Sequence, residues 1–191
     1  MFLDKSRVPI EKLGDPRLRE WENDILEIMQ DPSYRLFSCL HEAGHAVYYE
    51  RAGAKCLIFH GPVALYCAET DEFDFGSAAV AIVWPDAGAD MDLLTMARAY
   101  VAGGVVTRTL TTRIDEDSDG RDREEFLREC QRLCPGITQE EISEHWARAK
   151  KDIEMDLRNP AFRRELWRRA REFEEQLRES PPTVPPENNR V

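Results

Sequence analysis

Residues 31–53 read DPSYRLFSCLHEAGHAVYYERAG, and this stretch decides the fold. Asp31 can cap a helix, and Pro32 loses nothing at its first position, where the missing N–H would be unpaired anyway. Gly53 supplies the stop. The spacing predicts a helix from Pro32 to about Arg51. Leu36, Leu40, Ala43 and Val47 form a core stripe along it. His41 and His45 are four apart and share one face, so both imidazoles can reach one metal ion. Glu42 is adjacent and not spaced to share that ion. It is placed to hydrogen-bond a water held there.

Outward from this helix the pattern changes twice. On the N-terminal side, Leu18, Trp21, Ile25 and Ile28 or Met29 recur at helical spacing within residues 15–30. On the other side, 55–60, 63–67 and 78–84 are short apolar segments punctuated by Gly61-Pro62 and Pro85, which predicts strands of a small sheet. The acidic insert 69–74 reads as an exposed loop. Residues 90–109 predict a second strong helix that is small or apolar on most sides and therefore buried. Its Gly103-Gly104 pair costs helix stability and implies close packing against a neighbour. An acidic loop follows, and a helix begins near Asp122 with Phe126, Leu127 and Cys130 on it. Thr138 caps another helix carrying Ile142, Trp146, Ala149, Ile153 and Leu157. Asn159-Pro160 breaks it, and a last helix runs to about Ser180. The sum is an α+β fold, mostly helical: an N-terminal helical extension (1–31), a zinc-helix core with a small sheet and a C-terminal helical part (32–180), and a Pro-rich, polar tail (181–191) expected to be disordered.

Composition narrows the function. The 191 residues are 42% hydrophobic, enough for a core. The net charge of −11 disfavours nucleic acid as a partner, because phosphate backbones need clustered Lys and Arg. Arg163, Arg164, Arg168 and Arg169 alternate with Glu on a helix and read as a solvated face. No apolar run reaches membrane-spanning length, so no membrane is expected. No secretory signal opens the chain, and the five cysteines are an odd count. Both favour reduced thiols and a cytoplasmic location. Cys130 and Cys134, one turn apart, read as two buried helical thiols.

The chemistry of the histidine pair is metal-assisted hydrolysis. Zinc acts as a Lewis acid and acidifies a bound water, while a neighbouring carboxylate takes the proton during attack on a peptide carbonyl and returns it to the leaving amine. Such a site has three protein ligands and an open position. The pattern H-E-x-x-H-x-x-G-x-x-H is absent: Tyr48 stands at its glycine and Arg51 at its third histidine. His60 and His145 are minor candidates for the third ligand, and a carboxylate from the acidic loop after the second helix is the better one. Asp115, Asp117 and Asp119, followed by Gly120, also match the first half of a calcium-binding EF-hand loop. Phe126 stands where that loop needs its bidentate Glu.

The run His41-Glu42-Ala43-Gly44-His45-Ala46 resembles the peptidase domain of the FtsH family, the membrane-anchored AAA proteases. Ala102-Gly103-Gly104-Val105-Val106 is similar to that family's Gly-rich helix, and Ser118-Asp119-Gly120-Arg121-Asp122 occupies the place of its acidic turn. The resemblance covers roughly residues 32–178. It implies a peptidase with His41, His45 and Asp122 as ligands of Zn2+ and Glu42 as general base. The family's Thr-Thr-Gly-Ala stretch is not reproduced, so Asp117 and Asp119 stand as alternatives to Asp122. The chain has no P-loop and no ATPase domain. A peptide or unfolded protein is the expected substrate, held along a sheet edge, with a separate unfoldase or adaptor to deliver it. The family's ring is not carried over, and the oligomeric state is left open. The alternative reading is a non-catalytic metal-binding module for protein interaction.

Overall fold

The computed structural model describes residues 4–59, 63–68, 70–76, 79–84, 91–112 and 120–179. In chain order these form β1 (Asp4–Arg7), a 3-10 turn (Ile10–Lys12), α1 (Pro16–Gln30), α2 (Pro32–Arg51), β2 (Lys55–Phe59), β3 (Val63–Cys67), β4 (Glu72–Gly76), β5 (Ala79–Val83), α3 (Leu93–Leu110), α4 (Gly120–Leu133), α5 (Gln139–Asp156) and α6 (Pro160–Glu179). Helices dominate and the strands are short, which is the mostly helical α+β class expected from the sequence. The expected tail, 181–191, lies outside the described residues.

Local chemistry sets the helix starts. Asp31 accepts from the Ser33 backbone N–H at 2.8 Å, with Pro32 at the first helical position. At the other end of α2, Gly53 adopts φ of 96°, a backbone shape that glycine takes without strain. Thr138 and Glu141 make a reciprocal capping box at α5. The Asn159 side chain accepts from the Ala161 N–H at 2.9 Å at the start of α6. Each such cap is worth about 1 kcal/mol. The second long helix starts later than the pattern around residue 90 suggested. Asp92 takes the capping role, accepting from Thr95 N–H at 2.8 Å, so the helix proper opens at Leu93.

The main core is built around α2 and α3, with α5 on α3 and α6 on α2. Leu40, Ala43, Ala46 and Val47 of α2 and Ala99, Ala102, Val105 and Val106 of α3 are all buried in this core. Two glycines let the helices approach. A Cβ on Gly44 would stand 2.8 Å from the Ala102 carbonyl oxygen and 2.9 Å from its carbon. Backbone has little room to give there. The small, apolar composition of α3 thus serves contact with neighbours on several sides, as its sequence implied.

The strands form two sheets. β2 and β5 pair antiparallel and lie on α2. The chain between them makes the β3–β4 hairpin, to which β1 adds in parallel on the free side of β3. Two expectations are corrected here. The segment 69–74 is not all loop, because Glu72 onward forms β4. Its Glu72-Phe73-Asp74-Phe75 alternation has the strand period of two, and Phe73 is buried against Tyr66 and Trp21. The N-terminal extension is likewise more than helix. Its β1 joins the hairpin, and α1 shares with β3 and β4 a second small core of Val8, Leu18, Ile25, Met29, Ala64 and Phe73. Lys12 and Arg17 reach the hairpin turn at Asp71, whose φ of 55° marks the tight bend.

A third correction concerns α6. Arg163, Arg164 and Arg168 are solvated as expected. Arg169 is not. It lies over the Phe173 ring, pairs with Glu50 of α2 and donates to the Cys56 carbonyl at 3.1 Å, tying α6 to α2 and β2. Cys130 is buried, whereas Cys134 lies just past α4 and is only partly buried; none of the five cysteines is in a disulfide.

Substituting Gly44→Ala is expected to force α2 and α3 apart at their tightest point. Urea denaturation should show a loss of about 1–3 kcal/mol, the usual cost of overpacking. An unchanged midpoint would mean that the two helices separate without penalty.

Candidate metal centre

Three helices bring the histidines and one carboxylate together. His41 and His45 stand one turn apart on α2, with Nε2 atoms 2.9 Å from each other. Asp122, in the first turn of α4, places Oδ2 at 3.3 Å from both Nε2 atoms. Three donors bound to one tetrahedral zinc at 2.0–2.1 Å would be separated by about 3.3 Å. The triangle in the protein has two edges of that length and one a few tenths of an ångström shorter. The histidine side chains are 14% and 10% exposed and that of Asp122 20%, so the three donors are largely removed from water.

The polar atoms at this point are not satisfied by the protein alone. Asp122 Oδ2 is buried, and among the described residues it has no hydrogen-bond partner in good geometry, only the two ring nitrogens. A buried carboxylate oxygen left in this way costs several kcal/mol unless a cation completes it. Without a cation the neighbours compensate in part. Burial alone would raise the Asp122 pKa, but the imidazoles of His45 and His41 hold it far below the ordinary carboxylate range. Burial alone would lower the His45 pKa, but the Asp122 carboxylate outweighs it and lifts it to about 10.

Helix α3 supplies the back of the site. The Nδ1 of His45 contacts the Ala99 carbonyl at 2.7 Å. A carbonyl only accepts, so Nδ1 carries a hydrogen, and Nε2 is the nitrogen that can bind a metal once its own proton is displaced. One turn further along α3, Gly103 lies against the same rings. A Cβ there would stand 2.5 Å from His41 Nε2 and closer still to His45 Nε2. At those distances a side chain would push both imidazoles out of place. The Gly-Gly pair was read from sequence as close packing against a neighbour, and at Gly103 that neighbour is the imidazole pair, while Gly44 brings α2 against Ala102. The Gly103 and Gly104 carbonyls both accept from the buried Thr107 hydroxyl, at 3.0 and 3.1 Å.

Glu42 completes the constellation. One of its carboxylate oxygens and one ring nitrogen of each histidine all lie within 4.8 Å of one another. It can therefore bond a water held between the donors without displacing any of them. The donor set of two imidazoles and one carboxylate suits zinc, with the Ala99 carbonyl as the outer partner that orients a ligand.

Other sequence candidates stand elsewhere. His145, on α5, lines a depression with Leu93, Cys134 and Glu141, a space of about 390 Å³ apart from the histidine pair. His60, Asp115, Asp117 and Asp119 lie outside the described residues, and with them the half-loop that resembled a calcium site. Two participants had no signature in the sequence. The Ala99 carbonyl is a backbone group, and the role of Gly103 depends on which neighbour it meets.

Compared with known proteins, the chain matches no protein-family model, no curated protein and no solved structure.

Gly103→Ala is expected to weaken zinc uptake by roughly 100-fold, the upper range for losing support around a ligand. All three donors would still be present. Competition with a chromophoric chelator measures this, and wild-type affinity in the variant would show that the placing of the two rings does not depend on Gly103.

Proposed function

We propose that this chain is a zinc-dependent peptidase, similar in its site to the peptidase domain of the FtsH family. The observation that carries the reading is the convergence of His41, His45 and the unsatisfied Asp122 carboxylate, with Glu42 beside them. Bound there, zinc would supply Lewis acidity and a water acidified to near neutral pH.

The chain's own residues do the rest. His41, His45 and Asp122 hold the ion and leave one side open. The Ala99 carbonyl fixes the His45 ring in the ligating tautomer. Glu42 accepts the proton of the attacking water and passes it to the departing amine, a role that needs a carboxylate near the ion but outside its ligand set. A purely structural zinc site would be closed by a fourth protein ligand and would have no use for this base.

The substrate class proposed is a short or unfolded polypeptide. Among the described residues β2 and β5 pair only with each other, which leaves outer edges where an extended chain can add as a further strand. A folded substrate would need an unfoldase or adaptor, for which a separate partner is proposed. Among the described residues no helix is long and apolar enough to cross a membrane. A cytoplasmic workplace is proposed with the free thiols in mind.

Elemental analysis of the purified protein should find about one zinc per chain, the load of a single closed donor set. His45→Ala and Asp122→Ala should lose it, while Asp117→Ala and Asp119→Ala should keep it. Glu42→Gln should keep zinc and lose cleavage of unfolded casein by a factor in the range of 10²–10⁴ typical of general-base removal. Wild-type protein that neither contains nor takes up zinc would falsify the reading. Zinc without any hydrolysis would point to a binding module.

A further inference from the structure

We infer that Phe126 is the positioning residue for Asp122: an aromatic column through four helices seats α4 and so delivers the third donor to the histidine pair. The inference rests on the metal-site reading above and concerns what holds that site in register.

Asp122 arrives on a lightly held element. The buried residues of α4 are Phe126 and Cys130, and the helix packs on α3. Asp122, Phe126 and Cys130 are spaced by four, so they share one stripe of α4. The rest of the helix is largely exposed. Its Arg121–Glu125 pair is 44% and 47% exposed, an arrangement that contributes little. The rotation of α4 about its axis is set by that stripe together with the partly buried Leu127 beside it, and Phe126 is the largest fully buried side chain among them.

Phe126 has no exposed surface and lies between two rings. Its centroid is 5.9 Å from Tyr100 of α3 and 5.4 Å from Trp146 of α5. Tyr100 in turn meets Tyr49 of α2 edge to face at 6.3 Å. These are the separations at which aromatic pairs attract and resist reorientation. Tyr49 follows His45 by one turn of α2, and Asp122 precedes Phe126 by one turn of α4. The column therefore begins on the helix that carries the imidazoles and ends under the carboxylate. Ligand distances must be met within about 0.2 Å, so a small rotation of α4 is enough to spoil the donor triangle.

The test compares two identical substitutions in the full chain. Phe126→Leu removes the ring from the column. Phe173→Leu removes an equally buried ring from α6, which carries no donor. Zinc affinity is read by chelator competition, donor geometry by the absorption spectrum of the cobalt(II)-loaded protein, and stability by urea denaturation. Phe126→Leu is expected to weaken zinc binding by about tenfold or more, as loss of an outer support does, and to alter the cobalt spectrum. Phe173→Leu is expected to keep wild-type affinity and spectrum while losing comparable stability. Trp146→Leu, which strips the other side of the Phe126 slot, should weaken binding in the same direction and serves if Phe126→Leu does not fold. Wild-type affinity in the column variants, or an equal loss in Phe173→Leu, overturns the inference, because affinity would then be indifferent to the column or simply follow stability. Wild-type protein that binds no zinc overturns the function proposed above and this inference with it.

Discussion

The approach of α2 to α3 is the contact on which the rest of the structure depends. Gly44 lets the backbone of α3 come within van der Waals reach of α2, and Gly103 lets it come up against the rings of His41 and His45. The same contact serves two purposes. It closes the main core with small side chains, and it delivers the Ala99 carbonyl to His45 Nδ1. A larger residue at either glycine would separate the helices or push the imidazoles out of place. Packing and chemistry are therefore coupled at this crossing, with no slack between them.

The remaining elements are arranged around that crossing. α5 and α6 cover α3 and α2 from outside and bury Trp146, Ile153, Leu166 and Phe173. The β2–β5 pair lies on α2, the helix that carries the histidines, whereas the β3–β4 hairpin belongs to a second small core shared with α1. The N-terminal segment thus stabilises the hairpin through Lys12, Arg17 and Trp21 and meets the main body mainly through α2. α4 is tied down by a narrower stripe, yet it carries the carboxylate that closes the donor triangle.

Much of this was legible in the residues because the signals are local. A proline-started, glycine-stopped segment has few alternatives to a helix, and residues four apart on it must share a face. The Thr138–Glu141 box and the Asn159-Pro160 break mark helix ends by the backbone groups they satisfy. The placing of Asp122 also had a local basis, since Phe126 then falls on the buried side of its helix. Where local reading failed, a distant partner had outweighed it. Glu72 and Asp74 made β4 look like a loop, but pairing with β3 and the burial of Phe73 turned it into a strand. Arg169 looked like one more surface charge until Glu50 and the Cys56 carbonyl met it.

What the sequence by itself determined is the histidine helix: its length and ends, set by its cap and its stop, and the placement of His41 and His45 on one face with Glu42 beside them, set by the 3.6-residue period. Only the tertiary structure decided which carboxylate meets them, which carbonyl orients His45, and that Gly103 borders the rings. Those relations join residues 54 to 81 positions apart in the chain. No periodicity reaches that far. They are set by how closely α2, α3 and α4 pack, and that follows from side-chain volumes at the contacts rather than from any one segment's preference.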